Sequence, residues 1–192
     1  DQWLQQLWEN AGGPGSGAAL VAVGGYGRSE LSPGSDIDVY LLYEPKTSVS
    51  ALAESIWYPI WDEGIKLGHA VRTVKETLAL ASDDLDTATA ILSARHIAGD
   101  PKLAEELAVK GDELWRKRSK RWLDEMDVRV RSRHEESGEV AFLLEPDLKN
   151  GRGGLRDVHA ITWAERAGMS LLPGDHEAIL EAYEVVLSAR VE

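Results

Sequence analysis

The sequence predicts an α/β fold: a small mixed sheet with flanking helices to about Gly99, then an all-helical extension to Glu192. Three observations predict it. Two apolar runs, one at Val21-Ala22-Val23 and one at Val39-Tyr40-Leu41-Leu42-Tyr43, bracket a glycine-rich turn and an Asp-Ile-Asp. A third run, Lys66-Leu67-Gly68-His69-Ala70-Val71-Arg72-Thr73, has the length and bounding signals of a strand. Beyond Gly99 the apolar residues fall at helical spacings. This divides the chain into a core over 1–99 and a helical extension over 100–192.

From the start of the chain, Trp3, Leu4, Leu7 and Trp8 share one helical stripe, which predicts a packing helix over 1–10. Ala11–Ala18, with four glycines and Pro14, reads as a flexible connector. After the two signature strands, Glu44-Pro45-Lys46 ends the second, and Ser48 or Ser50 caps a helix to about Trp61. Its inward residues are Leu52, Ile56, Trp57 and Ile60, with Pro59 near its end. The third strand leads into a helix from about Val74. A further helix is expected over Asp83–Gly99, with Asp83, Asp84 and Asp86 in its first turn and Gly99 as its stop. Those acids are either cap chemistry or a source of a metal ligand. Asp100-Pro101 opens the next helix, with Leu103 and Leu107 inward. Another runs from about Asp112 to the Arg131 region, burying Trp115, Ser119, Trp122 and Met126. Its opposite face carries Arg116, Lys117, Arg118, Lys120, Arg121, Arg129, Arg131 and Arg133. That face is either solvated and paired with nearby acids, or a contact for phosphate or an acidic partner.

The stretch from Val21 to Tyr43 carries the chemistry. Alternation along a strand puts Asp36 and Asp38 on one side, with Ile37 and Val39 toward the core. Two carboxylates two positions apart stand roughly 6–7 Å apart, a spacing that suits a pair of divalent cations. Gly24 and Gly25 let backbone approach an anion closely, with amides aimed at phosphate oxygens. A dinucleotide fingerprint is excluded, because its third glycine position holds Glu30. A P-loop is excluded, because no Gly-Lys-Ser/Thr follows.

Composition narrows the setting. The 192 residues, 43% hydrophobic, suffice for one domain or two small ones. The absence of cysteine rules out disulfides and thiolate metal sites and fits a cytoplasmic enzyme. No apolar stretch reaches membrane-span length, so no membrane partner is expected. The formal net charge of −12 argues against a nucleic-acid partner and favours cation binding. Since the chain starts at Asp1 rather than Met, it is expected to be a segment of something longer.

Val23-Gly24-Gly25, a ten-residue spacer and Asp36-Ile37-Asp38 resemble the signature of the polymerase-β-like nucleotidyltransferase superfamily. In that superfamily the strand at the position of Lys66–Thr73 commonly adds a third carboxylate. Here it has none, and His69 and Arg72 are its polar residues. His69 is either structural or a ligand.

A second stretch, Leu144-Glu145-Pro146-Asp147-Leu148-Lys149-Asn150-Gly151-Arg152-Gly153-Gly154-Leu155-Arg156-Asp157-Val158-His159, enters a helix whose inward residues are Leu155, Val158 and Thr162. Helix-start amides with Lys149, Arg152 and Arg156 make a natural anion site. With Gly24–Asp38, Trp61–Thr73 and Glu145–Asp157 in this order, the chain resembles the bifunctional uridylyltransferase/uridylyl-removing family of PII nitrogen signalling. The resemblance spans about Val21 to Trp163 and covers only the transferase half. The phosphohydrolase (HD) and ACT domains of that family have no counterpart here, and no His-Asp pair occurs.

The resemblance implies transfer of a nucleoside monophosphate from NTP, either UTP or ATP, to a tyrosine of a PII protein, releasing pyrophosphate. It implies Mg²⁺ held by Asp36 and Asp38 as catalytic metal ligands. Gly24, Gly25, Arg28 and Ser35 would bind the nucleotide phosphates. Arg156 would join them if the Glu145–Asp157 loop folds over the Asp36/Asp38 edge; otherwise that loop is a hinge. Three further possibilities stand beside this one: transfer to a small-molecule acceptor, a nucleotide-sensing module without catalysis, and a purely structural role that binds neither NTP nor Mg²⁺.

Overall fold

A computed structural model describes residues 1–142 and 144–191. Glu192, the expected end of the helical extension, lies outside the described residues. Two compact units divide the chain, Asp1–Leu114 and Trp115–Glu192.

In the first unit, helix α1 (Gln2–Asn10) precedes strand β1 (Ala18–Ala22). A one-turn helix, α2 (Gly24–Gly27), and a loop lead to β2 (Ile37–Tyr43). Helix α3 (Ser50–Asp62), strand β3 (Leu67–Arg72) and helices α4 (Val74–Ala81) and α5 (Leu85–Ile91) follow. Strand β4 (Arg95–Gly99) then leads into α6 (Pro101–Lys117). Among the described residues the strands form one mixed sheet in the order β3-β2-β1-β4. β1 is antiparallel to both its neighbours, and β2 is parallel to β3. The expected fold class is therefore observed.

Burial explains the sheet order. All five residues of β1 are buried, so its amides and carbonyls need partners on both sides. β2 supplies one side, with Leu20 opposite Leu41. The other side is filled from a distant part of the chain, with Ala19 opposite Gly99 and Leu20 opposite Ala98. This corrects the helix expected over Asp83–Gly99. Asp84 does cap a helix, its carboxylate accepting the Thr87 amide at 2.8 Å, but that helix stops at Ile91. The alanine-rich sequence favours a continued helix locally. The unpaired edge of β1 instead recruits Arg95–Gly99 as a strand. Gly99 ends that strand at φ +82°, and a Cβ there would lie 2.3 Å from the Ala18 carbonyl oxygen.

Leu4 and Trp8 of α1, with Leu52, Ile56, Trp57 and Ile60 of α3, cover one face of the sheet in a cluster with Leu20, Val39 and Leu41. Trp3 departs from the expected stripe, being 39% exposed. Thr73 and Glu76 form a reciprocal cap on α4, worth about 1 kcal/mol. Asp100 binds the Lys102 amide with one oxygen and the Gly17 amide with the other, both at 3.1 Å, so α6 starts at the proline as expected.

The second unit is helical: α7 (Ser119–Ser137), a 3₁₀ turn over Val140–Phe142, α8 (Leu155–Arg166) and α9 (Asp175–Val191). The single helix expected from Asp112 onward is broken at Arg118, between α6 and α7. The break lets the rings of Trp115 and Trp122 stack at 6.0 Å, while the Trp115 indole donates to the Trp163 carbonyl at 3.0 Å. The basic face of α7 is largely paired along the helix: Lys120 with Asp124, Arg129 with Glu125 and Arg131 with Asp127. Each such exposed pair contributes about 0.3–0.5 kcal/mol. Thr162, expected inward, is exposed; His159 takes the inward position beside Leu155. Among the described residues no helix is long and apolar enough to cross a membrane.

Gly27 tests how tightly α2 is seated. A Cβ there would stand 2.2 Å from the Ser93 carbonyl oxygen, a backbone atom with little room to yield. Gly27→Ala is expected to lower stability by about 1–3 kcal/mol, read as a lower urea midpoint. An unchanged midpoint would show that the turn is loosely packed.

Candidate active site

The end of β1 and the head of β2 are tied together where the motif residues meet. The Val23 amide donates to the Asp38 carbonyl at 3.0 Å. The chain then turns at Gly24, whose φ of +57° is open to glycine and costly for other residues. The Gly27 amide closes the turn on the Val23 carbonyl at 2.9 Å, and the Arg28 amide on the Gly24 carbonyl at 3.1 Å. Helical geometry leaves the amides of the first turn, from Gly24 to Tyr26, without intrahelical acceptors. The Ser93 hydroxyl holds the turn from below by donating to the Gly24 carbonyl at 3.1 Å.

Asp38 is the second residue of β2, opposite Gly68 of β3. Its carboxylate lies between two glycines. A Cβ on Gly68 would fall 2.1 Å from Oδ1, and one on Gly24 would fall 2.9 Å from Oδ2. Asp36 precedes the strand and is exposed. Ile37 and Val39 are buried in the core cluster, as the alternation predicts. Arg28 lies along the glycine turn, with a guanidinium nitrogen 3.9 Å from where a Gly25 Cβ would stand. Its Nε donates to the buried Glu30 carboxylate at 2.8 Å, so the arginine is oriented by a residue within the same motif. Ser35 sits in a turn with Ser32; its hydroxyl accepts the Ser32 amide at 3.1 Å. Tyr40, on the Asp38 side of β2, has its hydroxyl pushed up by burial; Arg72 opposes this, while Asp38 and Asp84 add to it.

These contacts bring Gly24, Gly25, Arg28 and Asp38 together, with Ser35 and Asp36 just ahead of β2. Gly68 and Glu30 are the members that motif reasoning left without a role. Their contacts come from strand register and burial. His69 stands between the rings of Trp57 and Trp61, at 5.4 Å from each, on the opposite side of β3 from Gly68. That is the structural alternative for this histidine.

Arg156 belongs to the second unit, exposed in the first turn of α8. The loop before it is held from within. Asp147 accepts the Lys149 amide at 2.9 Å, the Asn150 amide at 2.8 Å and the Asn150 side chain at 2.7 Å. Asp157 accepts from Arg133, from His134 Nε2 at 2.8 Å and from the Gly153 amide at 2.8 Å. Arg152 pairs with Glu139 at 3.0 Å.

A divalent cation suits the donors at the head of β2. Mg²⁺ is commonly held by one or two carboxylates together with substrate phosphates. Asp36 and Asp38 offer hard oxygen donors, and the flanking glycines keep bulk away from Asp38. Among the described residues no group of three or more His, Asp or Glu gathers for an ion.

A family model described as a nucleotidyltransferase domain matches residues 4–125. The chain belongs to the nucleotidyltransferase-domain family. A second model, described as GlnD PII-uridylyltransferase, matches residues 120–184. A bifunctional uridylyltransferase/uridylyl-removing enzyme of Streptomyces coelicolor is 43% identical over 99% of this chain and 23% of its own length. One from Mycobacterium tuberculosis is 43% identical over 84% of this chain and 20% of its own length. This nucleotidyltransferase domain thus spans about a quarter or less of those relatives. A solved toxin–antitoxin structure with AMP-PNP covers 65% of this chain and 94% of that one, at TM-score 0.40 and 16% identity.

The Asp147 turn has a pH signature. Burial raises its carboxyl, but the bonds from Asn150 and Lys149 outweigh that and hold it below the usual value. A depressed carboxyl contributes stability above its unfolded pKa and loses it as pH falls through the folded one. The Lys149 and Asn150 amide resonances are therefore expected to keep their native positions down to the usual aspartate range and shift together below it. Asp147→Ala should remove that transition; a transition that persists in the variant would assign it elsewhere.

Proposed function

We propose that this chain catalyses Mg²⁺-dependent transfer of a nucleoside monophosphate, UMP or AMP, from UTP or ATP to a tyrosine hydroxyl of a PII signalling protein in the cytoplasm, releasing pyrophosphate. The observation that carries this reading is the Asp38 carboxylate set against Gly24 of the Gly24–Gly27 turn, with Asp36 two residues ahead of it in the chain. The relatives' uridylyltransferase names support UTP as donor, and the PII-uridylyltransferase family model over residues 120–184 supports the acceptor.

Asp36 and Asp38 hold the metal. When bound, Mg²⁺ neutralises charge on the triphosphate and lowers the pKa of the acceptor hydroxyl. The Gly24 and Gly25 backbone lets the phosphates approach closely, with first-turn amides pointing at their oxygens. Arg28 supplies a fixed positive charge there, oriented by Glu30. Ser35 adds a hydroxyl beside the carboxylates. Arg156, in the second unit, is the further nucleotide-binding residue that the family resemblance implies. The residues position the reactants and stabilise developing charge, which is the main need of phosphoryl-type transfer.

Labelled UTP or ATP, Mg²⁺ and purified PII protein test the reading. Label is expected on a PII tyrosine, and Asp36→Asn or Asp38→Asn should lower the rate by orders of magnitude with the fold intact. Near-wild-type turnover in either variant would refute the metal assignment. Nucleotide binding without transfer to any acceptor would favour the sensing module, and transfer only to a small molecule would replace PII as acceptor.

Arg156→Ala is expected to weaken nucleotide binding about tenfold, the loss of one charge-assisted contact, with the melting temperature unchanged. Unaltered binding would leave Glu145–Asp157 as scaffold.

A further inference from the structure

Gly68 is a glycine that its own backbone does not require. It lies inside β3, and its φ is outside the left-handed region that ten other glycines of the chain occupy. Glycine inside a strand is destabilising relative to alanine, so another constraint is expected at such a position. The constraint here is the Asp38 carboxylate. In the parallel register Gly68 stands directly opposite Asp38, and Oδ1 occupies the space that a Gly68 side chain would take, 2.1 Å from the Cβ position. Oδ2 rests against Gly24 in the same way, at 2.9 Å. Two backbone faces thus enclose one carboxylate.

We infer that Gly68 is a positioning residue for the reaction, setting the place and plane of the Asp38 carboxylate by offering it a bare backbone surface. The inference rests on the function proposed above. Gly68 itself touches no reactant in this account; it acts through Asp38. The two enclosing glycines are not equivalent as probes. Alanine at Gly24 would combine crowding with a φ of +57°, whereas alanine at Gly68 carries no backbone penalty. The atom a Gly68→Ala methyl would strike is the far end of a flexible side chain, so the carboxylate swings aside and the strand stays. The fold survives and the metal ligand is misplaced.

Gly68→Ala is the experiment, read in three ways. In the metal-free protein, the side-chain carboxyl ¹³C resonance of Asp38 is expected to shift while the melting temperature holds or rises slightly. The Mg²⁺ concentration giving half-maximal UTP binding, followed by calorimetry, is expected to rise about 10–100-fold, the usual cost of disturbing the support of a metal ligand. An unmoved Asp38 resonance overturns the inference, as does an unchanged Mg²⁺ requirement. A lowered melting temperature with Asp38 unmoved also overturns it, because the strand has then given way instead. If the unaltered chain binds neither UTP nor ATP with Mg²⁺, the proposed function falls, while the carboxyl resonance still decides whether Gly68 sets Asp38.

Discussion

Burial of β1 along its whole length is the constraint on which the first unit depends. Five consecutive residues out of water leave a strand's worth of amides and carbonyls that must be paired on both edges. Antiparallel pairing with β2 brings Ala22 opposite Val39, so the turn after β1 and the head of β2 are neighbours by necessity. Pairing with β4 closes the other edge and fixes where α6 begins, through Asp100 and its bond to Gly17. That ladder fixes Asp38 and the root of the glycine turn, while Arg28, Ser35 and Asp36 lie in the connection between the two strands.

Glycine is used at this site in two distinct physical senses. At Gly24 the backbone is left-handed, and a Cβ would also press on Asp38. At Gly27 and Gly68 the conformation is ordinary and the requirement is space, against the Ser93 carbonyl in one case and Asp38 in the other. The first sense belongs to one residue's own torsions. The second is a property of what the sheet places opposite.

The second unit shows how a stretch rich in charge can be consumed by its own architecture. Asp147 shapes its turn, Asp157 gathers Arg133, His134 and the Gly153 amide, and Arg152 pairs with Glu139. These networks, of which the one around Asp157 is partly buried, order the entrance to α8. The same logic covers most of the basic face of α7, where acids four residues away take up the cations. Counting charges in the sequence therefore overstates how many face a ligand.

The sequence alone determined the helices with clear periodicity or caps, namely α1, α3, α4 and the start of α6, and the strands β1, β2 and β3, because these signals are local. It also determined the order of the Gly-Gly turn and Asp-Ile-Asp, since the chemistry of both is written in consecutive residues. Tertiary structure decided β4, where the open edge of β1 outweighed the helical preference of an alanine-rich segment. It decided that the helix after Asp100 breaks at Arg118, where stacking of Trp115 on Trp122 outweighs continuity. It also decided that Gly68 faces Asp38 and that Glu30 orients Arg28, since register and burial depend on residues that the local pattern does not contain.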